Sequence, residues 1–193
     1  MLFVAQLFAS TTRGTLFQGG MNIYAAYAYD MDVRALGLIG TIAAAIGIPI
    51  TLTAGFLMDR FGRKASIVPG FALLGAALTI VAIVDSLHAP TTVFIAMFFV
   101  VHAAQSMTSG NMQTIGSDVA PAHLRGRFFG IWQLIGQIAG VISPAAFGFL
   151  AETSGYGGSF LFLSVTAFSA CFVLVTQVKT NMSDRTRASE TRA

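Results

Sequence analysis

Six apolar runs separated by short polar breaks set out this chain. They cover residues 2–28, 35–58, 66–84, 91–115, 128–151 and 159–178. Each is close to the ~20 residues that carry a helix across the hydrocarbon core of a bilayer. None alternates apolar with polar residues as a membrane strand does. Each is therefore read as a helix, the spanning form that satisfies its own backbone groups. A polar stretch rich in Ser and Thr, 179–193, follows the last run and is expected to be a disordered tail.

The runs differ in character. The first and fourth are polar. On the first, Gln6, Ser10, Arg13, Gly20, Tyr24 and Tyr27 recur at steps of three, four or seven and share one face. Thr11, Thr15, Gln18 and Asn22 run along nearly the opposite face. On the fourth, His102, Gln105, Ser106, Ser109 and Gln113 line up together. The second run carries Gly37, Gly40, Ala44, Gly47, Thr51 and Gly55, and the fifth carries Gly136, Gly140, Pro144 and Gly148. Stripes of small residues let helices approach closely in lipid, so the second and fifth are predicted to be packing helices, bent at Pro49 and Pro144. Across 67–84 and 160–175 the third and sixth hold no amide or charge and are expected to face lipid most.

The order polar, small-residue, greasy thus occurs twice, and the two triplets begin on opposite sides of the membrane. The predicted fold is all-α and polytopic: six transmembrane helices as two inverted three-helix repeats, an arrangement found in secondary transporters.

Charge supports the membrane reading and orients it. The 193 residues are 55% hydrophobic and 10% charged, with a mean hydropathy of +0.74. Soluble domains are about 25% charged, and a chain this apolar cannot cover a water-soluble globule. With the 59–64 loop inside, Arg60, Arg63, Lys64, Arg125, Arg127, Lys179, Arg185, Arg187 and Arg192 all fall on the inner side. Only Arg34 falls outside, near Asp30, Asp32, Asp85 and Glu152. This bias puts both termini in the cytoplasm and the chain in the cytoplasmic (inner) membrane. The basic residues are scattered at the ends of apolar runs rather than gathered on one surface, which argues against nucleic acid despite a pI near 9.4.

Candidate chemistry is sparse. The single cysteine, Cys171, excludes an internal disulfide and a cysteine-based metal site. There is no nucleotide-binding loop, no metal cluster and no nucleophile paired with a base, so no cofactor, metal or catalytic residue is expected. Arg13 is the one charge inside a predicted span, at a cost of ~2.5–3.5 kcal/mol on insertion scales. It either faces a water-filled cavity and binds a polar or anionic solute, or is satisfied by neighbouring helices. His102 is either a proton relay or solute ligand, or a satisfied buried side chain. Tyr24 and Tyr27 suit a cavity wall or an interfacial belt, and Trp132 suits an inner belt.

The stretch Gly55-Phe56-Leu57-Met58-Asp59-Arg60-Phe61-Gly62-Arg63-Lys64 resembles the signature loop of the major facilitator superfamily, Gly-x-Leu-Ala-Asp-Arg-x-Gly-Arg-Lys, departing from it only at Met58. Residues 121–130, with Arg125 and Arg127, look like the loop entering the fifth or eleventh helix of that family. Residues 140–148 look like a worn form of the Gly-Pro-x-x-Gly-Gly element of drug exporters, with Ser143 and Phe147 in place of glycines.

The resemblance implies one six-helix half of a twelve-helix transporter. The polar tail after the sixth run, the lack of a polar lead and the lack of an arginine opening the fourth run point to the second, C-terminal half. The missing N-terminal half or a second copy is the implied partner. The first and fourth helices would then line the solute cavity, through Gln6, Arg13, Gln18, Asn22, Tyr24, His102, Gln105, Ser109 and Gln113. Gly55, Asp59, Arg60, Gly62, Arg63 and Lys64 would form an inner gating loop. There, Asp59 is expected to accept amides at the start of a neighbouring helix, and Arg63 to pair with it in one conformation. The implied function is alternating-access transport of a small solute. The alternatives are a non-transporting truncated protein acting as scaffold or receptor, and a drug-type efflux half working as a dimer.

Overall fold

The computed structural model describes residues 2–177; the predicted tail at 179–193 lies outside the described residues. The chain forms α1 (Leu2–Phe17), α2 (Gly20–Tyr29), α3 (Val33–Phe61), α4 (Arg63–Ser86), α5 (Thr91–Thr108), α6 (Asn111–Val119) and α7 (Arg125–Gln177). A single 3-10 turn, Ala122–Leu124, precedes α7. Among the described residues every regular element is helical.

Glycines set the breaks. Gly19 (φ 89°) divides the first predicted run into α1 and α2, and Gly110 (φ 76°) divides the fourth into α5 and α6. Gly62 (φ 89°) separates α3 from α4, and Gly155 (φ 76°, ψ 171°) breaks α7 into limbs 125–154 and 156–177. A side chain disfavours this left-handed backbone, so glycine lets the chain turn where apolar content alone would prolong the helix. The start of α3 is held by Asp32, whose Oδ1 accepts the Ala35 N–H at 2.8 Å.

Four helical stretches among the described residues are long and apolar enough to cross a membrane: Val33–Phe61, Arg63–Ser86, Thr91–Val119 and Arg125–Thr176. The last contains the Gly155 break. At 16 and 10 residues, α1 and α2 each fall short of that length.

The first limb of α7 packs on α1 at very close range. A Cβ on Gly14 would stand 2.7 Å from the Gly140 Cα. Beside this point the Thr15 and Ser143 hydroxyls bond to each other, and Ser143 Oγ donates to the Thr11 carbonyl at 2.6 Å. The second limb packs on α4, where Gly75 makes room for the Phe168 ring and the Thr79 and Ser164 hydroxyls bond at 2.7 Å. Thr12 of α1 reaches the same limb through Thr166 at 2.8 Å. Hydroxyl pairs of this kind join helices where lipid supplies no hydrophobic drive between them.

The third run, expected to face lipid, does the opposite. The apolar window of α4 is 56% buried and that of α3 only 11%. Ile67, Phe71, Leu74, Leu78 and Val81 of α4 are fully buried against α5 and the second limb of α7. The sixth run is two-faced: Phe160, Leu163, Ala167, Ala170 and Leu174 point inward, while Leu161, Val165, Phe172 and Val175 are exposed. Lipid chains are as apolar as leucine, so a featureless apolar run looks alike whether it meets lipid or protein. Trp132, expected in a membrane-surface belt, is also fully buried, stacked on Phe128 and beside Phe3. The glycine stripe of α3 is mostly open: a Cβ at Gly37, Gly40 or Gly55 would meet nothing within 4 Å, whereas at Gly47 it would meet Ser106 Oγ at 2.6 Å.

Candidate functional site

The polar residues of the first and fourth runs separate into three groups. Gln6, Tyr24 and Gln105 are buried. Gln6 lies in the α1–α7 contact, where its Nε2 would be 3.2 Å from a Cβ on Gly136. Gln105 keeps its Oε1 without a hydrogen-bond partner among the described residues, while its backbone carbonyl accepts the hydroxyls of Thr108 and Ser109 at 2.8 and 3.1 Å. Arg13, His102 and Ser109 are half-buried. The His102 ring stacks on Phe98, with centroids 4.2 Å apart, and its Nδ1 lies 3.0 Å from the Phe98 carbonyl. Gln18, Asn22 and Gln113 are exposed. Gln18, at the α1–α2 break, donates from Nε2 to the Gly140 carbonyl at 2.7 Å.

A groove of about 410 Å³ opens beside this break, between α1–α2 and the first limb of α7. Gln18 is the cavity candidate among its lining residues, with Tyr27, Glu152 and Tyr156 as further polar groups. Pro144 and Gly148 form part of the opposite wall. Another hollow, about 450 Å³, is lined by Phe8, Val165, Phe168, Ser169, Phe172 and Val173, none of them a candidate.

At the predicted inner side the signature loop is organised around Arg63. Its Nε donates to Asp118 Oδ2 at 2.8 Å, and its Nη1 lies 3.7 Å from Asp59 Oδ1. The Asp59 side chain is 82% exposed, and Arg63 is the partner it meets here. Asp118, on α6, is the residue that sequence reasoning missed. The signal was present: Asp59 and Asp118 are the only acidic residues on the predicted inner side before the tail. Gly62 provides the positive-φ corner, and the Arg60 guanidinium lies 5.5 and 6.0 Å from the ring centres of Phe61 and Phe56. Lys64 Nζ donates to the Val175 carbonyl at 2.9 Å, in the last turns of α7. Arg125 and Arg127, at the start of α7, are exposed.

The opposite end holds a second tie that the sequence did not reveal. Asp85 Oδ1 accepts the Tyr24 hydroxyl at 2.8 Å, and its Oδ2 accepts the Gly157 N–H at 2.7 Å, just past the Gly155 break. The carboxylate thus caps the second limb of α7 from another helix. The Tyr24 ring sits among Tyr29, Phe94, Tyr156 and Phe160, with centroids 5.0–5.7 Å away.

The sequence matches the family model described as Major Facilitator Superfamily over residues 2–192. The chain belongs to the major facilitator superfamily. It is 27% identical over 137 residues to Glycerophosphoinositol transporter 1 of Saccharomyces cerevisiae, covering 70% of this chain and 26% of that protein. It is 22% identical over 179 residues to the Probable galactarate/D-glucarate transporter GudP of Bacillus subtilis, covering 88% of this chain and 38% of that protein. The chain therefore spans between a quarter and two fifths of the length of these relatives. As a superfamily member with long apolar helices it is a multi-pass membrane protein, and the family's business is solute transport. Within this superfamily chain the Arg63–Asp118 bond joins the signature loop to the end of α6, and the Tyr24–Asp85 bond joins α2 to the far end of α4.

Proposed function

We propose that this chain is a six-helix half, the second, of a secondary transporter that moves a polyhydroxylated anion across the cytoplasmic membrane by alternating access. The family match carries this reading, because it runs across every helix from α1 to α7. Taking α1–α2 and α5–α6 as single broken spans, and the limbs of α7 as two, gives six. The breaks support an inverted repeat. Gly19 follows a helix of 16 residues and Gly110 one of 18, so the first and fourth spans break at similar depths from opposite faces. Both termini then lie in the cytoplasm, as the Lys and Arg bias requires. The open glycine faces at Gly37, Gly40 and Gly55 of α3 and at Gly148 of α7 would meet the other six-helix half.

The solute class draws on two observations. Both relatives are named for polyhydroxylated anions. Arg13 brings a cation into the first span, with Gln18 and Asn22 exposed nearby along the same chain. A cell-based accumulation screen of the full-length protein tests the proposal, comparing sugar diacids, glycerophosphodiesters, neutral sugars and organic cations. Selective accumulation of an anionic class, weakened by Arg13→Ala and partly kept by Arg13→Lys, is the expected outcome. Unchanged affinity in both variants removes Arg13 from the site.

A further inference from the structure

The geometry points to Asp85 as a positioning residue of the transport cycle: it holds α2 as a hinged outer gate segment through Tyr24. This rests on the reading above that α1–α2 is one span ending at the outer face.

Four observations converge. First, α2 is a ten-residue helix bounded by left-handed backbone at both ends, Gly19 (φ 89°) and Asp30 (φ 48°). These two positive-φ positions are where the chain can turn without unwinding the helices on either side. Second, the side-chain hydrogen bond that ties α2 to the rest of the chain among the described residues is Tyr24 to Asp85. Third, Asp85 is itself fixed by the Gly157 N–H, so the tie reaches α7 beyond the Gly155 break as well as α4. Both carboxylate oxygens are occupied as acceptors, and the geometry is good at each.

Fourth, the inner face carries the same construction on the equivalent helix. There, α6 follows the Gly110 break and is tied by Asp118 to Arg63, at the start of α4. Each polar span therefore ends in a short helix after a glycine break, and each short helix is bonded to one end of α4. At the outer end the carboxylate sits on α4 and the short helix supplies a phenol; at the inner end the short helix supplies the carboxylate. Releasing Tyr24 frees α2 to swing about Gly19, widening the groove lined by Gln18, Gly20 and Tyr27.

The test uses the full-length protein with Cys171→Ala and a reporter cysteine at Asn22, an exposed α2 position. Its labelling by a membrane-impermeant maleimide added outside is timed in four forms: parent, Tyr24→Phe, Asp85→Asn and the double variant. Tyr24→Phe keeps the ring in its aromatic box and removes only the hydroxyl. The inference expects labelling to quicken on the order of tenfold in each single variant, as for a lost hydrogen bond to a charged group, and no further in the double. A second reporter at Thr91, at the outer start of α5, should keep its rate. An unchanged rate at Asn22, effects that multiply in the double variant, or an equal rise at Thr91 each overturn it. Labelling is read without any solute, so a protein that fails the accumulation screen still reports on the hinge.

Discussion

Lys64 and Asp85 grip the two ends of one helix from the two ends of another. Lys64 Nζ donates to the Val175 carbonyl at 2.9 Å, and Asp85 Oδ2 accepts the Gly157 N–H at 2.7 Å. The rise of an α-helix separates Lys64 from Asp85 by about 31 Å and Gly157 from Val175 by about 27 Å, close to the ~30 Å of a bilayer core. The antiparallel pair thus sets a cation at the negative end of the second limb's dipole and an anion at its positive end.

The two grips should differ in strength. Asp85→Ala strands the Tyr24 hydroxyl and the Gly157 N–H and should cost about 1–3 kcal/mol. Lys64→Ala removes one charge from a partly exposed helix end and should cost about 0.3–1 kcal/mol. Thermal unfolding of the purified protein in detergent compares them; equal shifts would mean that Asp85 is not the stronger cap.

Gly14 points at the backbone of Gly140 while Gly140 points away from it, so the two should respond in opposite ways to alanine. A Cβ on Gly14 meets the Gly140 backbone at 2.7 Å, and backbone cannot swing aside; a Cβ on Gly140 meets nothing within 4 Å. Gly14→Ala should therefore destabilise by about 1–3 kcal/mol. Gly140→Ala should be neutral or gain up to ~1 kcal/mol of helix propensity within this half. The same melts decide it, and a stable Gly14→Ala variant would refute the close approach.

Trp132 separates a core role from a belt role. Fully buried against Phe128 and Phe3, it should cost about 3–5 kcal/mol when truncated to alanine. A loss within ~0.5 kcal/mol, as for a surface position, would return it to the membrane interface.

The Arg63–Asp118 bond is partly exposed, at 31% and 47% of the two side chains, so its coupling should stay within ~1 kcal/mol. Reversing both charges, Arg63→Asp with Asp118→Arg, should recover much of the transport lost in either single reversal. Failure of the double reversal to improve on the singles would show that the loop acts through other contacts.

Helical membrane architecture was legible because long apolar runs bounded by charge have few other solutions, and the family was legible in the ten residues from Gly55 to Lys64. Three things were not. The breaks at Gly19 and Gly110 lie inside runs whose overall hydropathy hides them, and a glycine there has the same look as a packing glycine. The burial of α4 was misread because apolar side chains carry no mark of whether lipid or protein covers them. The ties of Tyr24 to Asp85 and of Lys64 to Val175 join residues 61 and 111 positions apart, and only folding brings them together.

The most direct test of the account is counterflow in proteoliposomes holding the full-length protein. Vesicles preloaded with unlabelled sugar diacid are diluted into a trace of labelled solute, and internal label is followed with time. An alternating-access carrier produces a transient overshoot of label, which Arg13→Ala should diminish. Label that enters only linearly and without saturation, for every polyhydroxylated anion tried, would contradict the assignment of this chain to such a carrier.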